Sequence, residues 1–271
     1  MGNFNYKFLQ LIITFHVTLF SASCDISKKS DDIQKKITVC LDVNTLTIDS
    51  IKKLPGFKQQ ELGFGPNLVE DLNNLWDTAS VIKVYFMDGT EAAHHNIIRI
   101  ANTWSVYANV TFKKVYRRKH GDVRISFDWP GYWAYNKING ETVPLSEPTM
   151  SLEDLDVITD TVEVYRVTLH EFGHLLGFMH EHQSANSPIQ WNINALYQYY
   201  NKPPNNWNYS TIQQQIVNKY QSSQYNNSAY DSLSIMHYYI PKQLTLNGYS
   251  SPWNNTLSEQ DKILVAKTYP K

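Results

Sequence analysis

HEFGHLLGFMH, residues 170–180, carries three histidines at spacings of four and six, with Glu171 directly after the first. On a helix, His170 and His174 project from one face about a turn apart. Two imidazoles so placed can hold one zinc ion. Glu171 cannot easily bind the same ion, but it can reach a water that the ion holds. Zinc brings the pKa of such a water to about 7, where a carboxylate can take its proton. A third ligand is still required, and His180 cannot stay on that helix face and reach the metal. Gly177 resolves this, because glycine adopts positive φ readily and lets the chain end the helix and turn back. The competing reading is a buried core helix with incidental histidines. Bare H-E-x-x-H strings recur by chance, but the longer spacing H-E-x-x-H-x-x-G-x-x-H fixes enough positions to favour the metal site.

Outward from this stretch, the pattern of the chain is that of one mixed domain. SVIKVYF, 80–86, alternates like a half-buried strand and stops at Asp88-Gly89. Residues 91–108 have helical spacing, with Ala93, Ile97, Ile100 and Trp104 on one face. VTFKKVY, 110–116, and DVRISFD, 122–128, alternate again, so a βαββ unit is expected. TMSLED, 149–154, reads as a further short strand, and 162–178 as the helix that bears the histidines. Residues 211–220 have a weaker helical pattern. LSEQDKILVAKTY, 257–269, ends the chain as a helix capped by Ser258, with Asp261 at its third position.

The N-terminal part differs. Lys7 precedes FLQLIITFHVTLF, residues 8–20, which has the length of a signal-peptide core and is short for a membrane span. SASC, 21–24, then resembles a bacterial lipoprotein processing site, with Cys24 as the lipid-bearing residue; ordinary cleavage near Ala22 or Ser23 is the alternative. Both readings take the protein out of the cytoplasm, to be secreted or anchored at the cell surface. Residues 1–24 are thus expected to be a signal peptide, 25–75 a pro-segment or linker, and 76–271 the catalytic domain. The only cysteines among 271 residues are Cys24 and Cys40, so no disulfide framework is expected in that domain. A net charge of −1 and the lack of a basic stripe argue against a nucleic-acid partner. The 18 tyrosines suit loops that contact peptide as well as a core.

The long histidine string resembles that of the metzincin zinc metalloproteases, whose second hallmark is a downstream methionine turn. SIMHY, 234–238, is similar to that turn. Glu181 directly after the third histidine, Tyr238 two residues after Met236, and Tyr230-Asp231 before the turn resemble the astacin family in particular. The likeness spans about residues 72–271 and is strong in the two motifs. It implies an α+β fold of metzincin type: a twisted, mainly antiparallel-edged sheet with the motif helix, and an irregular C-terminal subdomain ending in a helix. It implies Zn2+ held by His170, His174 and His180, with Glu171 as general base. Tyr238 would be a movable ligand that steadies the oxyanion, and Met236 a packing residue beneath the metal. Glu181 would anchor the mature N-terminus or a water network. TMSLED would be the edge strand along which an extended peptide pairs.

The chain also departs from the family. It lacks the disulfides of animal astacins, and His182 is extra, expected at the surface or just outside the ligand set. Cys40, in ITVCLDV, is read either as a small buried residue of a pro-segment strand or as a latency ligand. In the second case its thiolate fills the open zinc position, as in matrixin proteases by position and chemistry only. The expected activity is zinc-dependent endopeptidase action on protein or peptide substrates by a monomer. A protease of another metzincin family is one alternative. A non-catalytic zinc-dependent surface binding protein is another, which the presence of Glu171 disfavours.

Overall fold

The computed structural model describes residues 75–203, 205–220 and 230–271. The expected signal peptide, Cys24, the pro-segment and Cys40 lie outside the described residues.

Strand β1 (Val81–Phe86) buries Ile82, Val84 and Phe86 on one face, as its alternation requires. Helix α1 (Glu91–Ala101) follows, started by the Thr90 side chain, which accepts from the Ala93 amide. It ends sooner than its sequence pattern suggests. Trp104 sits in a short 3-10 turn beyond it, still fully buried, and donates its indole N–H to Leu169 O at 3.0 Å. The remaining strands are β2 (Thr111–Val115), β3 (Val123–Ser126), β4 (Tyr132–Ala134) and β5 (Met150–Leu152), with a short helix, α2 (Lys137–Glu141), between the last two. β1 lies between β2 and β3 and runs parallel to both; β3 pairs in parallel with β5. β4 pairs antiparallel with β5, giving the order β2-β1-β3-β5-β4.

This order corrects one expectation. TMSLED forms β5, which is interior, and the edge beside it is β4, built from only three residues. A three-residue strand inside a turn-rich stretch is too short to show alternation, so its pairing is decided by tertiary contact.

Helix α3 (Thr161–Leu175) begins at Asp160, whose carboxylate accepts from the Val162 and Glu163 amides. It packs on the sheet through Val164, Val167, Leu169 and Phe172, joining the main core. A second, smaller core belongs to the C-terminal half. Helix α4 (Ile193–Tyr200) and helix α5 (Tyr209–Ile212) supply Leu196, Tyr200 and Ile212 to it. The weak helical pattern at 211–220 corresponds to α5 and a wide turn at Gln213–Val217, in which the Asn218 amide bonds back to Gln213 O. The terminal helix α6 (Glu259–Thr268) has the expected capping box between Ser258 and Asp261. Among the described residues, no helix is long and apolar enough to cross a membrane.

Candidate metal centre

The site lies where the two cores meet: Met236 belongs to the first and Tyr238, two residues on, to the second. Helix α3 supplies His170 and His174. It then closes as the glycine argument requires. Gly177 takes φ +92°, its amide donates to His174 O, and the Phe178 amide donates to Gly173 O, each at 2.9 Å. This pair of bonds is a Schellman closure, and it sends His180 back toward the helix face. The other carbonyls at this helix end are also satisfied. Trp76 donates to Leu175 O at 2.9 Å and the Tyr269 hydroxyl to Leu176 O at 2.8 Å.

The three imidazoles then converge. His180 Nε2 lies 3.1 Å from His170 Nε2 and 3.0 Å from His174 Nε2. The tautomers of two of them follow from their neighbours. His170 Nδ1 donates to Ile235 O at 2.7 Å and His174 Nδ1 to Phe178 O at 2.8 Å. A carbonyl only accepts, so each Nδ1 carries the proton and each Nε2 turns a lone pair toward the centre. Burial, then the neighbouring His174, pushes His170 and His180 well below the usual histidine range, so both rings are neutral. A proton on His180 Nε2 can relieve only one of the two contacts. Converging lone pairs are unfavourable unless a cation lies among them, and tetrahedral zinc at its usual Zn–N length separates neighbouring ligand nitrogens by about 3.4 Å. The donor set therefore fits zinc. Among the described residues, these three histidines form the one group of side chains arranged to hold a metal ion.

The other expected residues gather around this centre. Glu171 is completely buried beside His170. Tyr238 packs its ring against His180, centroids 4.3 Å apart. Glu181 ties the third histidine to the methionine turn: its amide donates to Met236 O at 3.0 Å and its carboxylate accepts from the Asp231 amide at 2.9 Å. Burial raises that carboxyl to about 7. Its expected partner, the mature N-terminus, lies outside the described residues. Of the two places expected for His182, the structure gives the one just outside the ligand set and not the surface, since it is 1% exposed and stacked beneath Tyr238.

Sequence reasoning missed two supports. Asp261 caps α6, and the same carboxylate accepts from the Ser234 hydroxyl at 2.7 Å and the Ile235 amide at 2.8 Å. It thus holds the peptide whose carbonyl orients His170. Gly173 is the second. A Cβ there would overlap Met236 Sδ and press on Trp104, 3.3 Å away. Gly173→Ala should therefore destabilise the domain by about 1–3 kcal/mol through overpacking. That effect is expected to outweigh the helix-propensity gain of about 1 kcal/mol. Denaturant unfolding measures it. A variant as stable as the parent would show that the methionine turn does not press on the helix.

No protein-family model and no curated protein sequence matches the chain. Solved structures do match it. A structure of myroilysin is 36% identical, covers 73% of this chain and 97% of its own, and superposes with a TM-score of 0.70. A second myroilysin structure, also 36% identical, covers 75% and 89% with a TM-score of 0.57. High choriolytic enzyme 1, a hatching enzyme zinc-protease of the medaka fish Oryzias latipes, is 16% identical over 76% and 98%, with a TM-score of 0.48. The chain belongs to the astacin family of zinc metalloproteases.

Proposed function

We propose that this protein is an endopeptidase in which His170, His174 and His180 hold the catalytic zinc and Glu171 is the general base. The observation that carries the reading is the convergence of three Nε2 atoms, two of them on rings whose protons are held on Nδ1 by carbonyls. Zinc, when bound, supplies a Lewis acid that acidifies water and polarises a carbonyl. Glu171 takes the proton of the attacking water and delivers it to the leaving amine. Its complete burial excludes bulk water, which would otherwise compete for that proton. The Tyr238 hydroxyl donates to the oxygen on which negative charge develops. Met236 packs against Gly173 and so supports the helix floor between the two α3 ligands. The antiparallel edge strand β4 is the strand along which an extended peptide would pair.

The same reading has the chain exported, with residues 25–75 as a pro-segment and Cys40 as the latency ligand. One experiment with three arms tests it, using a denatured protein as substrate and a zinc chelator as control. Processed protein should cut at internal bonds and stop on chelation. The precursor should be silent, and a Cys40→Ser precursor should cut without processing. A processed form with no hydrolysis removes the endopeptidase reading. A silent Cys40→Ser precursor removes only the role of the thiol.

A further inference from the structure

We propose that His182 is a positioning residue for the hydrolytic step: its imidazole is the platform that fixes the Tyr238 ring beside the metal ligands. The proposal rests on the assignment of Tyr238 to the developing oxyanion.

The geometry is specific. The His182 and Tyr238 rings stack at 4.2 Å between centroids and 28° between planes. The same tyrosine meets His180 at 4.3 Å and 60°, and the two imidazoles are 5.4 Å apart. Tyr238 thus touches a metal ligand through one contact and His182 through the other. Its own rotamer freedom is limited by both.

The platform is itself held. His182 Nε2 donates to Gln215 O at 3.0 Å. The next residue, Gln183, donates to Gln214 O at 2.7 Å and Asn218 O at 2.8 Å, and its side-chain oxygen accepts from the Tyr220 hydroxyl at 2.9 Å. Gln214 and Gln215 belong to the wide turn at 213–217, and Asn218 directly follows it. Such turns recur beside functional sites.

Packing alone does not select histidine at this position. Its Nδ1 is buried with no hydrogen-bond partner. That atom carries a desolvation penalty which phenylalanine or leucine would avoid. What histidine adds is a flat ring with a polar tether that sets its plane. A tyrosine that must meet an oxyanion gains from a fixed plane, since less reorganisation is left for the transition state. The effect therefore belongs in kcat and not in KM.

The test compares His182→Leu, His182→Phe, Tyr238→Phe and the His182→Leu/Tyr238→Phe double variant of the processed, zinc-loaded protein. Zinc content, kcat and KM are measured for each. His182→Leu should lower kcat about five- to tenfold, the scale of a lost ring–ring contact, with KM within about twofold. His182→Phe keeps the platform without the tether and should stay within about threefold of the parent. In the Tyr238→Phe background, His182→Leu should cost less than about twofold, because the ring it positions has no hydroxyl to place. Losses that multiply in the double variant overturn the proposal. So does a His182→Leu enzyme with full kcat while Tyr238→Phe is slow, an outcome that leaves the oxyanion role standing. Full kcat in Tyr238→Phe removes the oxyanion role and the platform with it. If His182→Leu loses its zinc, His182→Phe decides: zinc loss there too makes His182 a structural part of the metal centre and overturns the proposal.

Discussion

Glu171→Gln is expected to fold, to bind zinc as the parent does, and to hydrolyse peptide about 10²- to 10⁴-fold more slowly. Glutamine matches glutamate in shape, so the completely buried position should accept it without a cavity. The three metal ligands are untouched, and their orienting bonds to Ile235 O and Phe178 O do not involve Glu171. What is lost is the proton acceptor. The amide cannot take a proton from water and cannot return one to the leaving amine. Zinc content by metal analysis, with kcat/KM on one peptide, separates the two effects. Hydrolysis within a few-fold of the parent would remove Glu171 from the chemistry. It would also move the acid–base work to another group.

Tyr238→Phe is expected to lower kcat by about 10²- to 10³-fold, the usual consequence of deleting one oxyanion donor, with a much smaller change in KM. The ring is retained, so its contacts with His180 and His182 persist. The backbone at this residue is fixed independently. His237 Nδ1 donates to Tyr238 O at 2.6 Å, and His237 Nε2 accepts from the Tyr230 hydroxyl at 2.6 Å. Burial lowers His237 to about 4, so it remains the neutral, singly protonated ring this arrangement needs. A phenylalanine variant is therefore a clean removal of one hydroxyl. If only KM rises, the hydroxyl contributes to ground-state binding and not to the oxyanion.

The metal centre was legible in sequence because its ligands are neighbours in the chain. The three histidines and Glu171 lie within eleven residues, and helix periodicity with one glycine turn specifies how they meet. The α6 cap was legible for the same reason, since Ser258 and Asp261 are three residues apart. What surrounds the ligands was legible only in part. Asp261 reads as a cap from its neighbours, yet it also holds Ile235, 26 residues away, and through it His170. For His182 the sequence leaves open a place at the surface or just outside the ligand set, and contacts distant in the chain, with Gln215 and Tyr238 among them, decide for the second. Gly173 did leave a trace, because a glycine in a helix interior costs about 1 kcal/mol relative to alanine and so asks for a reason. That reason, Met236, lies 63 positions along the chain. The edge strand went unread because three residues cannot establish a period; its place is set by β5, beyond α2.

One zinc ion in the three-histidine centre is expected to drive hydrolysis, and a metal titration of stripped protein reads this out. Processed protein is freed of metal, zinc is returned in steps, and hydrolysis of a denatured protein is followed. Activity should be absent at the start and rise linearly to a break at about one equivalent per chain, as a site of three protein ligands with one open position requires. His174→Ala carried through the same titration should stay inactive throughout. Full hydrolysis by the zinc-free protein, or a His174→Ala variant that follows the parent curve, would show that this centre does not drive hydrolysis.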